Sequence, residues 1–320
     1  MTGTSSPQNS TAKQRLTETE LAWIAWESDV LLRSNAIRLV RGEPLDYCRR
    51  LARMSDTMTL PIVLPSRRRD AVFLKVLYAI WNIILDDEID RDGTAAGLDA
   101  SLTFLMAKPE EAAAYPPGAC AVLHMMAKFL PGGKLLRSDP IGFNLWEVGH
   151  GLCYEIYLNH NRNRATKFEY LRYSVMTASL KIFLDIDCMW AKRPLDAGTY
   201  ATLREAYDEL TRAIKLASDV GTLWREVYDE DNMNYLRILA GQFRETNVLS
   251  AESAMGDALR YRDEVTRLAR THLMAAQCLF VNAQDIDASE LLNSGASIVE
   301  AYSSGADPYF DLGATCPDLS

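Results

Sequence analysis

The sequence predicts an all-α fold in which one domain of about ten helices forms a bundle. Apolar residues recur at three- and four-residue steps in one segment after another, as they do on the buried face of a helix. No segment of any length alternates apolar and polar residues as a strand does. A chain of 320 residues can form one large domain or two small ones, and we predict one. A bundle of this size can enclose a central cavity, where ligand sites are common.

The N-terminal half contains several predicted helical segments that are separated by turn-forming residues. Met54–Pro65 is predicted to be a loop because prolines interrupt it. The helix that follows is nearly all apolar until it reaches a run of acidic residues, and Gly93 ends it. The predicted helical segments in this half are 18–40, 71–92, 98–106, 119–130 and 143–158.

The C-terminal half begins with a long apolar stretch, 168–190, which ends before Lys192-Arg193-Pro194. Residues 1–16 are rich in Ser, Thr and Gln and lack apolar residues that could pack, so we expect a disordered tail. The predicted domain then covers residues 17–310, and residues 311–320 form a C-terminal tail. The predicted helical segments in this half are 168–190, 199–228, 251–283 and 288–302.

Composition narrows the function classes. The net charge of −9 argues against a nucleic-acid partner. The one local exception, Arg67-Arg68-Arg69, is short and is predicted to be a surface turn or a helix start. The longest apolar run, Ala71–Leu85, is interrupted by Lys75 and is too short to span a membrane. The six cysteines include no C-x-x-C pair, which favours reduced thiols in a cytoplasmic protein over a zinc site or a disulfide framework. The sequence leaves a homodimer open.

The first candidate site is the acidic end of the apolar helix. Asp86 and Asp90 lie one turn apart on one helix face, where two carboxylates repel each other. The repulsion grows as the local dielectric falls, so a cation between them is expected. Oxygen ligands without a nearby His or Cys point to Mg²⁺, which is commonly bound through carboxylates and substrate phosphates. The alternative is a solvated acidic helix end.

A second candidate site lies in the segment 199–228. Ser218, Thr222 and Glu226 follow one another at four-residue steps, so their oxygens form one column along a helix. Two hydroxyls and a carboxylate make a second face for a hard metal ion. The alternative is a polar stripe that faces water, but the positions beside the column, such as Val220 and Leu223, are apolar.

Together the two motifs resemble those of class I terpene synthases of the bacterial branch. In that family an Asp-Asp-x-x-Asp motif and an Asn/Asp-Asp-x-x-Ser/Thr-x-x-x-Glu motif face each other across a helical bundle and hold Mg²⁺ ions that bind the substrate diphosphate. The resemblance covers roughly residues 70–310. It departs at Ser218, where the family has Asn or Asp. The matching residues are Asp86, Asp87, Asp90, Thr222, Arg225, Glu226, Asp231 and Asn234.

The resemblance implies roles for individual residues. Asp86, Arg172 and Glu226 would be catalytic, and three Mg²⁺ ions would be cofactors. Arg172 and Arg225 would bind the diphosphate, and a planar guanidinium suits phosphate oxygens. The implied metal ligands are Asp86, Asp87, Asp90, Ser218, Thr222 and Glu226. The residues expected to line the cavity are Tyr78, Asn82, Met176, Phe183 and Tyr302.

Two further departures from the family pattern bear on the site. The family commonly places an Asp and then a Gly after the diphosphate-binding Arg, where the helix breaks, but this chain has Val175 and Met176. That difference argues against a helix break here. Near the C-terminus Tyr302 and Tyr309 keep the family's spacing, but Pro308 stands in place of the usual Arg.

The resemblance implies a Mg²⁺-dependent terpene synthase that ionises a linear prenyl diphosphate and cyclises the carbocation. Asn82, where the family often has a large aromatic residue, favours geranylgeranyl diphosphate, with farnesyl diphosphate next. A chain-elongating prenyltransferase and a relative of squalene or phytoene synthase are alternatives, although both would be expected to carry a second Asp-rich motif. A non-catalytic helical prenyl-binding protein is the alternative from another class.

Overall fold

The computed structural model describes residues 15–37, 43–92, 95–106, 117–161, 165–228, 234–242, 251–283 and 286–305. These residues form an α-helical bundle with two short 3₁₀ turns and without a β-strand, so the predicted fold class is confirmed. None of the helices in these ranges has both the length and the apolar composition needed to cross a membrane. The side chains of Asp90 and the residues Asp231, Pro308 and Tyr309 lie outside the described part of the chain.

The helices are numbered in chain order. Thr17 caps the first helix by accepting a hydrogen bond from Glu20 N, and Pro44 starts the second, where its missing N–H costs nothing. The helices are α1 (Glu18–Ser34), α2 (Pro44–Thr57), α3 (Arg68–Asp92), α4 (Ala96–Leu105), α5 (Pro117–Ala127), α6 (Pro140–His160), α7 (Lys167–Thr177), α8 (Lys181–Met189), α9 (Ala197–Tyr228), α10 (Tyr235–Leu239), α11 (Ala251–Leu259), α12 (Arg262–Asn282) and α13 (Ser289–Ser303).

Several predicted boundaries were wrong. Helix α2 extends to Thr57, into the predicted loop, where Met54 packs against the core and buried Asp56 pairs with Arg68 at 2.7 Å. The predicted segment 251–283 is two helices, α11 and α12. The predicted segment 168–190 is also two helices, α7 and α8, which are separated by residues 178–180. The expectation that the helix continues unbroken after Met176 was therefore wrong, and the site geometry below gives the reason.

Two long helices, α3 and α9, organise the bundle. Helix α3 packs against α1, α2, α4, α5 and α8, and the 32-residue helix α9 packs against α7, α8 and α10 to α13. Helix α8 touches both, and α13 closes the bundle by contacting α2 as well as α9. Gly221 permits the approach of α13, since a Cβ at this position would lie 3.0 Å from the backbone oxygen of Tyr302. The space left between α3 and α9 is the central cavity.

A buried ion pair fixes the loop between α2 and α3. Lys75 Nζ on α3 lies 2.7 Å from Asp187 Oδ1 on α8, and both side chains are fully buried. The ammonium also donates to the backbone oxygen of Met58 and to Thr59 Oγ1, and Asp187 Oδ2 accepts from Leu60 N. Burial lowers the pKa of Lys75 to about 8 even though Asp187 opposes the shift. Lys75, the charged residue that interrupts the apolar run, therefore connects α3 to α8 and to the loop that follows α2.

We predict that Lys75→Met lowers the free energy of unfolding by about 3–5 kcal/mol, because it leaves the Asp187 carboxylate buried without its cation. The double variant Lys75→Met/Asp187→Asn should be more stable than the single one, since Asn keeps the acceptor for Leu60 N and carries no charge. Urea denaturation followed by circular dichroism measures both values. A double variant as unstable as the single one would contradict this account.

Candidate active site

A cavity of about 250 Å³ lies between α2, α3, α6, α9 and α13, at the point where α7 ends. It is lined at one end by polar residues from α3 and α9 and elsewhere by aromatic and aliphatic side chains. The predicted metal and diphosphate ligands that line it are Asp86, Ser218, Thr222, Arg225 and Glu226. The predicted cavity-lining residues found there are Tyr78, Asn82, Phe183 and Tyr302. Segments far apart in the sequence thus contribute to one site.

The column of oxygens on α9 is ordered by hydrogen bonds. The hydroxyl Thr222 Oγ1 lies 2.7 Å from Glu226 Oε1 and 2.8 Å from the backbone oxygen of Ser218, and these two acceptors share its proton. Asn234 Nδ2 donates to Glu226 Oε2 and to the backbone oxygen of Asp219, both at 2.7 Å. Asn234 also caps α10 by accepting from Leu236 N. The carboxylate of Glu226 is therefore held from two sides in a buried position.

The acidic end of α3 faces this column across the cavity. Asp86 is half-buried and lines the cavity, whereas Asp87 is buried and does not. Glu88, which follows them, accepts a hydrogen bond from Gly97 N at 2.8 Å and so joins α3 to the start of α4. Asp90 follows one turn later along α3, and its side chain lies outside the described part of the chain.

The donor set suits a hard divalent cation. The side chains from α3 and α9 that meet at the cavity offer carboxylate and hydroxyl oxygens, which Mg²⁺ prefers. The proton of Thr222 Oγ1 points to neighbouring oxygens, so the lone pairs of that hydroxyl stay available for a metal. Hydrogen bonds from Asn234 orient Glu226 in the way that outer partners orient metal ligands. In the described residues no three His, Cys, Asp or Glu side chains cluster closely enough to form a metal site by themselves.

The two predicted diphosphate-binding arginines have different positions. Arg225 lines the cavity beside Glu226. Arg172, on α7, is exposed, and its guanidinium lies 5.5 Å from the ring centroid of Tyr173. It is not among the residues that line the cavity. Met176, one turn further along α7, does not line it either, because α6 approaches closely and a Cβ on Gly151 would lie 2.9 Å from Met176 Cβ.

The break between α7 and α8 is held by side chains from other helices. Asn82 Nδ2 on α3 donates to the backbone oxygen of Thr177 at 2.9 Å, and Tyr78 OH donates to that of Ser179 at 2.8 Å. On the other side, Leu180 N donates to Thr211 Oγ1 on α9 at 3.2 Å. These bonds satisfy backbone groups that a continuous helix would pair internally. The sequence could not show this break, because its partners come from segments far away in the chain.

Sequence reasoning missed three charged residues at the site, namely Glu155 on α6 and Lys215 and Asp219 on α9. Glu155 lines the cavity, and Thr177 Oγ1 donates to its Oε1 at 3.1 Å. Burial raises its pKa to about 7, against the opposing effect of Lys215. Asp219 is buried, and its oxygens accept from Tyr170 OH at 2.8 and 2.9 Å. The signal for Lys215 was available, since it lies one turn before Ser218 on the same face of α9.

Comparison with known proteins supports the fold. The 2-methylisoborneol synthase of Streptomyces coelicolor A3(2), solved with Mg²⁺ and geranyl-S-thiolodiphosphate, matches at a TM-score of 0.66 and 12% identity, covering 96% of each chain. The linalool/nerolidol synthase of Streptomyces clavuligerus, solved with 2-fluorogeranyl diphosphate, matches at 0.55 and 16% identity, covering 89% of this chain and 96% of its own. An apo structure of hedycaryol synthase matches at 0.50 and 16% identity, covering 90% and 91%.

These similarities show that the chain has the fold of bacterial class I terpene synthases. No protein-family model and no curated protein sequence matches it.

We predict that Glu155→Gln makes the metal-free protein more stable at pH 8 than the wild type, by about 3 °C in melting temperature. The pKa of Glu155 in the folded state, about 7, lies above its ordinary value of 4.5. The protonated carboxyl group therefore contributes its full share of the folding stability below pH 4.5, and this share is lost as the pH rises through 7. The difference between the variants should disappear near pH 5 in thermal denaturation.

Glu147→Gln is the matched control for this measurement. Glu147 lies on the same helix and pairs with Lys181 at 3.2 Å, away from the cavity. A stabilisation at pH 8 that also occurs in Glu147→Gln would show that the effect is not specific to the cavity.

Proposed function

We propose that this protein is a Mg²⁺-dependent terpene synthase that releases diphosphate from a linear prenyl diphosphate and cyclises the carbocation. The observation that carries the proposal is the meeting of Asp86 on α3 with Ser218, Thr222 and Glu226 on α9 at the polar end of one partly apolar cavity. The shared fold with class I terpene synthases, two of them solved with prenyl diphosphate analogues, supports the same assignment.

The polar end would hold the diphosphate. Bound Mg²⁺ would neutralise the charge of the diphosphate and so stabilise it as a leaving group. Asp86 and Asp90 would provide carboxylates from α3, and Ser218, Thr222 and Glu226 would provide oxygens from α9. We propose that three Mg²⁺ ions bind here and that Asp87 is a further metal ligand. Arg225 lines the cavity beside Glu226 and would donate to phosphate oxygens.

Arg172 is proposed as a diphosphate contact of the substrate-bound protein. Its side chain is exposed, and the ring of Tyr173, over which it lies, is the contact it would leave. An arginine on a surface aromatic residue loses little when it moves, because such a contact contributes only about 0.5–1 kcal/mol. A movement of this kind would place the guanidinium over the diphosphate after it has entered.

The apolar part of the cavity would hold the prenyl chain. Tyr78 and Phe183 are buried, and their rings lie 6.0 Å apart in an edge-to-face arrangement. The faces of aromatic rings attract cations, so such rings can stabilise a carbocation where no fixed anion is near. A closed apolar surface also keeps water away from the cation until the reaction ends.

The first test is Asp86→Asn, assayed with Mg²⁺ and prenyl diphosphates of 10, 15 and 20 carbons by gas chromatography. Loss of the carboxylate should lower turnover by about 10²-fold or more, because it removes a metal ligand and keeps the shape of the side chain. Asp70→Asn is the matched control, since Asp70 begins the same helix and pairs with Arg67 at 3.0 Å near the surface. Unchanged turnover in folded Asp86→Asn would refute the assignment.

The same assay separates the competing functions. A prenyltransferase would form longer chains when isopentenyl diphosphate is added, and a squalene synthase relative would join two chains. A non-catalytic prenyl-binding protein would retain the substrate unchanged. Conversion of a single prenyl diphosphate to terpene products, with release of diphosphate, is the result that supports a terpene synthase.

For the substrate we propose geranylgeranyl diphosphate, with farnesyl diphosphate next. Asn82 lines the cavity, and it is smaller than the aromatic residue expected from the family pattern. Met176, which replaces the smaller glycine of the family pattern, does not line the cavity. The ligands of the two similar synthases solved with substrate analogues are analogues of geranyl diphosphate, which has a shorter chain.

Competition between equal amounts of farnesyl and geranylgeranyl diphosphate measures this preference. We expect products with 20 carbons to predominate by about 10-fold, the discrimination that a few methylenes in an apolar pocket provide. Asn82→Phe should shift the ratio toward the shorter substrate, because the larger side chain fills space in the cavity that Asn82 lines. Predominance of products with 15 carbons in the wild type would exclude geranylgeranyl diphosphate as the preferred substrate.

A further inference from the structure

One positively charged side chain that lines the cavity belongs to neither of the two proposed metal-binding motifs. Lys215 lies on α9 one turn before Ser218, on the face that also carries Thr222 and Glu226. Among the described residues that line the cavity, only Lys215 and Arg225 carry a positive charge. The side chain of Lys215 keeps 22% of its surface exposed, and because it lines the cavity, that surface is accessible to a ligand there.

The ammonium group has a defined direction. The Nζ of Lys215 lies 3.3 Å from the Oδ1 of Asp219, which is one turn further along α9. Asp219 is itself fixed, because Tyr170 OH donates to both of its oxygens and Tyr235 N donates to Oδ2 at 3.3 Å. The ion pair therefore holds the ammonium beside the turn of α9 that runs from Lys215 to Asp219 and includes Ser218.

Lys215 also retains charge and hydrogen-bonding capacity. Burial by itself would lower the pKa of this lysine, but the carboxylates of Asp219 and Glu155 outweigh that effect and raise the pKa well above its ordinary value. An ammonium has three N–H donors. In the part of the chain that the structure describes, Asp219 is the one ion-pair partner of Lys215, and it uses at most one of those donors. The remaining donors suit an anionic ligand.

We propose that Lys215 binds the diphosphate group of the substrate and of the leaving group, an inference that rests on the proposed function. The ammonium contacts phosphate oxygens on the side of the diphosphate that faces the apolar part of the cavity. It supplies positive charge beside Ser218, whose neutral hydroxyl attracts a metal ion less strongly than a carboxylate does. Lys215 thereby complements the α9 column of Ser218, Thr222 and Glu226.

Isothermal titration calorimetry with inorganic diphosphate in the presence of Mg²⁺ tests this proposal without relying on turnover. Lys215→Gln should weaken binding by about 10- to 100-fold, the effect of losing a charge-assisted hydrogen bond. Lys215→Arg keeps the charge and should restore most of the affinity. Lys181→Gln is the matched control and should bind as the wild type does, because Lys181 pairs with Glu147 and Asp208 at 3.2 and 3.5 Å outside the cavity.

A second variant controls for misfolding, because Lys215→Gln leaves the buried carboxylate of Asp219 without the ammonium group of Lys215. The double variant Lys215→Gln/Asp219→Asn removes both charges and keeps an acceptor for Tyr170. Weak diphosphate binding by the folded double variant supports the proposal. Affinity equal to that of the wild type overturns the role of Lys215 and leaves the proposed function intact. Absence of binding by the wild-type protein overturns both.

Discussion

Repulsion among carboxylates inside a closed bundle is the constraint on which the rest of this site depends. Asp86, Glu155, Asp219 and Glu226 lie close enough to influence one another, and burial makes each charge more costly. Donors from other segments relieve part of that cost. Thr177 donates to Glu155, Tyr170 to Asp219 and Asn234 to Glu226. Because these donors belong to different segments, satisfying the acidic cluster also fixes how α6, α7, α9 and α10 meet.

These hydrogen bonds offset only part of the cost of burying the carboxylates, and the remainder affects how the site would bind a cation. The pKa values of Glu155 and Asp219 stay above their ordinary range because of burial, despite the nearby ammonium of Lys215. In the folded protein the ionised form of these carboxylates is therefore disfavoured, and a bound cation would lower their pKa values and favour ionisation. Ligands that bind only the folded state add to its stability. A cation bound at this end would lower the electrostatic cost of the carboxylates and strengthen the packing of the helices that carry them.

The sequence predicted those features of the fold and site that depend on spacing within one helix. The acidic end of α3 and the column of Ser218, Thr222 and Glu226 follow from helical periodicity, and the cavity between them follows from the bundle. The break after Thr177 depends on contacts between distant segments. Thr177, Ala178, Ser179 and Leu180 include no Gly or Pro, and Asn82, Tyr78 and Thr211 impose the break from other helices. Asn82, which sequence reasoning treated only as free space, is one of the residues that maintain it.

Lys215 was missed because a lysine on an amphipathic helix usually faces water, although its spacing places it on the same face as Ser218 and Thr222. The position of its ammonium group limits where a carbocation could form in the proposed reaction. Two like charges about 4 Å apart repel by about 4 kcal/mol at an effective dielectric of about 20. An allylic cation formed next to the ammonium would therefore be unfavourable unless an anion lay between them. The departing diphosphate would fill that place if it stayed bound to Lys215. On this view the ammonium favours ionisation only while the diphosphate remains in the site, so the leaving group and the cation would stay paired until the chain has cyclised.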